Sequence, residues 1–512
     1  MKVHEHTDKT KKATQPKSTV VIGAGLGGLS AAISLAAAGY SVRVHEKNPQ
    51  AGGKLNVLSR DGFTFDLGPS IFTLPRIFQA LFERAGRRFE DYVAIQPVSP
   101  HWRNFFEDGR VIDLHKDPVE MRHELQKLPE FDEALWEAWQ GFLDYSKQQY
   151  DIIERGYFAE GLDTLWDFLR FYGVFGIGRH IDFRRRMAAS IHRRVDHPQL
   201  RLILEYFIKY VGSSAYDAPA FMNLMPNIQF EHDLWYVRGG MYNLARGLQR
   251  LAVELGVELH FESEVTEIRH AGRRVTGVRL AAGETVAADY VISNLEVIPA
   301  YDRLLGESPA FLRKLDKFEP ACSGLVVHLG TNRIYPQLAH HNFFYSRDQE
   351  KHFATVFKEK RLPEDPTIYL VAPTRTDAAQ APDGCDNIKV LPHIPYLQEP
   401  NPYTREDYLA YKDRVLAKLE RMGLTDLRKH TVVEDVLTPY DIQERYASNC
   451  GSIYGVVSDW RRNYGFKAPK RSRRYANLYF VGGSVNPGGG MPMVILCGQK
   501  VCDAILRADR RL

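Results

Sequence analysis

Cysteine is scarce in this sequence. Cys322, Cys385, Cys450, Cys497 and Cys502 are five among 512 residues, odd in number and without a C-x-x-C pair. That excludes a disulfide framework or zinc ribbon, and a reducing, intracellular setting is the simplest reading. There is no run of about 18 apolar residues, which excludes an ordinary transmembrane helix but not a protein that lies on a membrane. One-signed charge is also missing. Lys and Arg number 67 against 63 Asp and Glu, and the net charge of +4 is too mild to imply nucleic acid as a partner. No H-E-x-x-H spacing, Ser/His/Asp set or paired carboxylates stand out, so neither a metal site nor a hydrolytic centre is expected. The adjacent His340 and His341 tend to diverge, which suits polar contacts better than a metal. Residues 1–17 lack an apolar core and carry Lys2, Lys9, Lys11, Lys12 and Lys17, which reads as a disordered tail rather than a signal peptide.

What is present is globular in composition, 44% hydrophobic and 25% charged. The length allows two or three domains, or one large α/β enzyme with an inserted domain. The organising stretch is Thr19-Val20-Val21-Ile22-Gly23-Ala24-Gly25-Leu26-Gly27-Gly28-Leu29-Ser30. It reads as a buried strand, a tight glycine turn and the start of a helix, with Gly23, Gly25 and Gly28 filling G-x-G-x-x-G. The first glycine makes the turn, the second lets a pyrophosphate approach, and the third packs helix on strand. The unpaired N–H groups of that helix face the phosphates. Helix-favouring residues run from Leu29 to Ala38, and Ser41 to Glu46 alternates like a second strand. Glu46 stands where an acid binds an adenosine ribose. The dinucleotide is NAD or FAD. The paired glycines of Ala51-Gly52-Gly53-Lys54 suit a loop wrapped around a second, bulkier part of it.

Residues from about 100 to 235 read as helical and aromatic-rich, with an amphipathic helix over Phe131 to Tyr150. Leu165 to Tyr172 is followed by a stretch, Arg179 to Arg201, with seven Arg against Asp182 and Asp196. Bulky rings beside clustered Arg are the ingredients of an interfacial element, or equally of a solvated helix face. Strands are predicted at Leu259–Val265, Val275–Leu280 and Asp289–Asn294. Residues 300 to about 440 mix strands, such as Leu325–Leu329 and Ile368–Val371, with one helix over Glu406–Met422. The chain then closes on a strand, Asn477–Val481, a second glycine loop, Gly488-Gly489-Gly490, and a helix starting at Met491-Pro492. Two glycine loops, each before a helix, suggest two grips on one extended ligand.

With both loops in view, the chain resembles the bacterial carotenoid desaturase/oxidase family of the FAD-dependent amine oxidase superfamily, in the branch of oxidases acting on C30 carotenoids. The residues that carry this are Gly68-Pro69-Ser70-Ile71, His101 to Phe106, Tyr206 to Pro219, Leu338 to Phe344, Lys389 to Tyr396 and Val481 to Val494. The family usually has Arg after the glycine pair, where this chain has Lys54, which keeps the charge without the planar fork. The resemblance implies FAD, bound by Gly23, Gly25, Gly28, Glu46, Lys47, Gly53, Lys54, Gly68, Pro69, Ser70, Val265, Gly483, Gly490 and Met491. Asn486, in the loop expected beside the flavin, is the one candidate for chemistry, orienting an oxygen donor or nascent alcohol. The competing use of Asn486 is to shape the turn before Pro487.

The implied fold is α/β: a Rossmann-type FAD-binding domain with an inserted mixed α+β substrate domain and a helical, membrane-associating region. The expected segments are FAD-binding at 18–100, 236–298 and 441–512, helical at 101–235, and substrate-binding at 299–440. The implied activity is oxidation of a terminal methyl of a C30 carotenoid to an aldehyde. A desaturase of the same family, an amine oxidase and a flavin-free lipid-binding protein like the dissociation inhibitors of prenylated GTPases stay open as alternatives. The implied partners are the carotenoid, the inner face of the cell membrane as a peripheral site, and other enzymes of the same pathway.

Overall fold

In the computed structural model, residues 16–510 are described, with the side chains of 174–180 left aside. The tail read at 1–17 lies outside the described residues but for Pro16 and Lys17. Strand β1 (Ser18–Ile22) is buried from Val20 onward, and the glycine turn feeds helix α1 (Leu26–Ala37). β1 pairs in parallel with β2 (Ser41–His45) on one side and β4 (Tyr290–Ser293) on the other. β3 (Glu258–His260) and β5 (Leu478–Phe480) complete a parallel sheet in the order β5-β4-β1-β2-β3. Ligands of such sheets sit at the carboxyl ends of the strands where the order reverses, here beside β1.

The chain's two glycine loops meet because helix α2 (Met491–Asp509) packs along α1. Gly498 makes that approach possible, since a Cβ there would lie 2.6 Å from the Ala31 nitrogen. Ser30 Oγ donates to the Ile495 carbonyl across the same seam at 2.6 Å.

One predicted strand is broken in two. Leu259–Val265 does not run through: β3 ends at His260, and a new strand, Val265–Ala271, starts an antiparallel meander with Arg274–Leu280 and Thr285–Ala287. Glu262 adopts a left-handed φ of 50°, which turns the backbone back onto the β2 exit. There Ser263 N–H donates to the Glu46 carbonyl at 2.8 Å. The kink is set by this contact, which periodicity does not reveal.

A second, mixed sheet consists of the strands Thr431–Leu437, Val326–Thr331, Asp386–Ile394, Ile368–Val371, His341–Phe344, Trp102–Phe105 and Val111–Leu114, in that spatial order. The last two come from the stretch read as helical. Trp102–Phe105 pairs in parallel with His341–Phe344, a partner more than two hundred residues away. The helix Glu133–Ile153 is capped by Asp132, which accepts from the Leu135 N–H. Helix Arg405–Arg421 opens on a capping box of Thr404 and Asp407.

The helix Leu165–His180 kinks at Gly173, whose φ is 69°. Phe168 packs on Phe466, while Trp166 is 76% exposed and Phe171 and Leu165 also face solvent. Phe183 contacts Trp460, which contacts the exposed Tyr464. Arg184, Arg185, Arg461 and Arg462 are exposed beside them in sequence. Among the described residues no helix is long and apolar enough to cross a membrane.

Candidate functional site

A cleft runs from the carboxyl ends of β1 and β2 to the N-terminus of α2. At one end it is lined by Gly23, Gly25, Glu46, Lys47, Gly53 and Val265, with Gly53 against Gly25, and toward α2 by Lys54, Gly68, Pro69, Gly483, Gly490 and Met491. The first end is made mostly of backbone. α1 starts at Gly25 without a side-chain cap, which leaves its first N–H groups for an anion. A Cβ on Gly25 would lie 2.6 Å from Asn294 Nδ2, so the loop lies close against the side chain that follows β4. Glu46 is buried, and its carboxylate accepts from the Ala24 N–H at 2.8 Å and the Asn48 N–H at 2.9 Å. These bonds, with a third from the Asn48 side-chain amide at 2.8 Å, fix the acid at the cleft wall and leave one lone pair for a ligand hydroxyl. Lys47 Nζ donates to the Glu444 carbonyl at 2.6 Å, which ties the wall to the segment 439–446.

The second end repeats the device. α2 starts at Gly490 (φ 104°), again without a side-chain cap. Gly489 has no space for a side chain, since a Cβ would lie 2.3 Å from the Tyr454 carbonyl. Lys54 Nζ donates to the Ser452 carbonyl at 2.8 Å and faces Glu296 at 3.5 Å. Burial raises the Glu296 carboxyl above its ordinary range, with Lys54 opposing. Lys389 also reaches the wall. Its ammonium donates to the Asp66 and Gly68 carbonyls and to Ser70 Oγ, pinning that loop to the second sheet. Burial lowers Lys389 to about 8, with Asp66 opposing.

An extended dinucleotide fits this cleft. Two uncapped helix N-termini open onto it, and two buried polar atoms of its wall residues, His45 Nε2 and Glu296 Oε2, have no protein hydrogen-bond partner. Gly28, Ser70 and Asn486 are not on the cleft wall. Gly28 serves packing, because a Cβ there would meet the Gly23 carbonyl at 2.1 Å. Ser70 is occupied by Lys389. Asn486 is buried and spent on protein contacts. Its Oδ1 accepts from Tyr157 OH at 2.5 Å and the Lys467 N–H at 2.8 Å, and its Nδ2 donates to the Asp163 carbonyl at 3.0 Å. These contacts shape the loop and leave its amide no free polar atom for an oxygen donor.

Asn294, Glu296, Lys389 and Tyr454 line the cleft and escaped the sequence reading. Asn294 and Glu296 follow a parallel strand at its ligand-facing end, a signal that was available. Lys389 also left a trace as a cation inside the apolar run Ile388 to Leu391.

Behind Tyr454 and the glycine loop lies an aromatic box. Lys209 is 4% exposed, and its side-chain nitrogen makes no hydrogen bond or ion pair among the described residues. Its Nζ sits 3.9 Å from the Tyr369 ring centre, 4.6 Å from Phe343, 5.1 Å from Tyr210 and 5.2 Å from Trp102. Burial, with Lys389 adding repulsion, lowers Lys209 well below the ordinary lysine range. His341 and His393 lie near enough for its charge to bear on both, and burial lowers both. His341 Nδ1 pairs with Tyr369 OH at 2.9 Å and His393 Nδ1 with Tyr206 OH at 3.3 Å, yet neither Nε2 has a protein partner. His340 instead pairs with Thr376 Oγ1 at 2.6 Å. The box borders the cleft: the His393 ring lies 5.8 Å from Tyr454, and a Cβ on Gly490 would lie 3.8 Å from the Tyr210 carbonyl.

Residues 26–506 match the flavin containing amine oxidoreductase family. The chain is 59% identical over 487 residues to a 4,4'-diapolycopene oxygenase of Methylomonas sp, covering 95% of this chain and 97% of that one. It is 52% identical over 490 residues to the 4,4'-diaponeurosporene oxygenase of Staphylococcus aureus (strain Mu50 / ATCC 700699), covering 96% and 98%. Among solved structures, an oxidoreductase from Methanosarcina mazei superposes with a TM-score of 0.63 at 16% identity, covering 95% of this chain and all of that one, a likeness of fold alone.

Proposed function

Because this chain belongs to the flavin containing amine oxidoreductase family, we propose that it is a FAD-dependent oxidase that converts a terminal methyl of a C30 carotenoid to an aldehyde. The observation that carries this reading is the 59% and 52% identity to two carotenoid oxygenases along nearly the whole chain. Identity of that extent covers the aromatic half as well as the dinucleotide half, and substrate choice resides in the former.

FAD is the cofactor, and when bound it supplies the hydride acceptor that no side chain here provides. The α1 N-terminus and Gly25 hold the pyrophosphate, Glu46 the ribose, and Val265 the adenine edge. The α2 N-terminus at Gly490 and Met491 places a positive dipole end where reduction adds negative charge. Val326, Leu391 and Ile453 give the cleft apolar walls that exclude water. A polyene offers no ionic handle, so shape and aromatic contact position it. The exposed Trp166 and Phe171, with Arg184 and Arg185 nearby in sequence, suit peripheral contact with an anionic membrane that carries such a substrate.

The purified protein, given a conjugated C30 polyene and an electron acceptor, is expected to yield a product heavier by one oxygen less two hydrogens. Products that only lose hydrogen overturn the oxidase reading in favour of a desaturase.

A further inference from the structure

We propose that the aromatic box around Lys209 is a second ligand subsite, which takes the oxygen-bearing end of an apolar chain, with Lys209 Nζ hydrogen-bonding that hydroxyl or carbonyl. The proposal rests on the oxidase reading above and adds to it the residue that recognises the oxidised end.

The argument begins with what the box lacks. A buried lysine in a protein core is ordinarily held by a carboxylate or by carbonyls. Lys418, for example, donates to the Tyr345 and Pro366 carbonyls and to Asp365. Lys467 donates to Ser458 Oγ at 2.8 Å and to the Val456 carbonyl. Lys209 has rings around it and nothing else. Nor is it alone, since the Nε2 atoms of His341 and His393 are also buried without partners. With Trp102 Nε1, also buried without a partner, four polar groups are left unpaired in one aromatic neighbourhood, which is costly for the protein by itself. They are explained if a ligand brings a polar atom into an otherwise apolar enclosure.

The ligand's class follows from the surroundings. Trp102, Tyr210, Phe343 and Tyr369 make the surroundings of the Lys209 nitrogen aromatic and apolar, and among the described residues no carboxylate pairs with it. A neutral oxygen on a hydrocarbon end fits. A lysine N–H donates to a hydroxyl oxygen as well as to a carbonyl oxygen, so the same residue serves an alcohol and an aldehyde. Position agrees, because Tyr454 and the Tyr210 carbonyl separate the box from the glycine loop at Gly489 and Gly490.

The test uses the FAD-loaded protein in detergent, titrated with a C30 polyene aldehyde and with the parent hydrocarbon and followed by the polyene absorption band. Wild type is expected to bind the aldehyde about tenfold more tightly than the hydrocarbon, with a red-shifted band, as one hydrogen bond allows. Lys209→Met should lose both preference and shift while hydrocarbon affinity, flavin content and melting temperature hold; Lys209→Arg should keep part of the preference. A Lys209→Met protein that retains the full preference overturns the proposal. If that variant does not fold, wild type incubated with the aldehyde and cyanoborohydride decides. Imine formation between Nζ and the aldehyde carbon loses water, the reductant fixes the bond, and the label must fall on Lys209; a label only on other lysines overturns the assignment. Should wild type form no oxygenated product at all, the oxidase reading falls. Aldehyde formation with no role for Lys209 leaves that reading intact and removes only the subsite.

Discussion

Along the cleft the groups offered to a ligand are backbone N–H groups of two helix N-termini, with glycines clearing the space. Around Lys209 the groups offered are side chains drawn from the segments 102, 209–210, 341–343, 369 and 393. The first arrangement is local: G-x-G-x-x-G encodes turn, approach and packing within six residues. The second exists only once Trp102–Phe105 has paired with His341–Phe344, and that strand with Ile368–Val371. Backbone recognition tolerates any side chain that leaves room, whereas the box depends on each ring and each nitrogen. The difference teaches that a common cofactor can be held by a portable motif, while a particular substrate end needs a tertiary constellation.

The largest effects that sharpen this contrast lie in the glycine loop. Gly28→Val is expected to leave little folded protein, because its Cβ meets a backbone carbonyl at 2.1 Å and the β1–α1 seam has no slack. Gly25→Val, by contrast, should fold while losing the yellow flavin absorbance, with affinity down by well over about tenfold. If Gly25→Val purifies with full flavin, the pyrophosphate is not held there and the nucleotide half of the comparison breaks.

Next in size is Asn486→Ala. Removing an amide that bonds Tyr157, Lys467 and Asp163 strands buried partners, and a loss of about 2–4 kcal/mol is expected in denaturant unfolding. Aldehyde formed per bound flavin should not change. Unaltered stability with little aldehyde would instead move Asn486 from the scaffold to the chemistry.

Arg184→Ser with Arg185→Ser should weaken binding to anionic liposomes by about 2 kcal/mol at low salt, roughly 30-fold, and by less at high salt. Arg186 is a poorer choice, as its backbone bridges to Pro219 and it is only half-exposed. Equal sedimentation of the variant and wild type at low salt would place the membrane contact elsewhere.

The last effect is spread over a range of pH and concerns a buried lysine that, unlike Lys209, is hydrogen-bonded. Lys467 has hydrogen-bond partners, and burial alone lowers it to about 7 from 10.5. Between those two values the unfolded chain holds a proton that the folded protein does not, so stability rises with pH, by up to about 1.4 kcal/mol per unit for this group. Lys467→Met should flatten the rise from about pH 7 to 9. An unchanged slope would mean that Lys467 keeps its charge when folded.

Much of the nucleotide half could be read in advance. β1, α1, β2 and the loop before α2 lie where their residues predicted, because strand burial, helix propensity and glycine turns are short-range effects. Legibility failed where a distant partner decided the outcome. Leu259–Val265 looked like one strand, yet Glu262 turns back to the end of β2. Residues 102–114 looked like the entry to a helical region, yet they complete a sheet whose other strands come two hundred residues later. Tyr206 to Pro219, Leu338 to Phe344 and Lys389 to Tyr396 could be picked out as blocks that carry a family likeness, but not as the walls of one box.

The sequence by itself marked the two glycine loops and the strand and helix that flank each, since a glycine turn and a helix start are set within a few residues. Only the tertiary structure decided which polar groups are spent and which are free. Asn486, the chemically inviting residue in the glycine loop, is consumed by Tyr157 and Lys467. Lys209, unmarked in the chain, is left without a partner. Whether a polar atom has a partner depends on which segments surround it in space, and spacing along the chain carries no record of that.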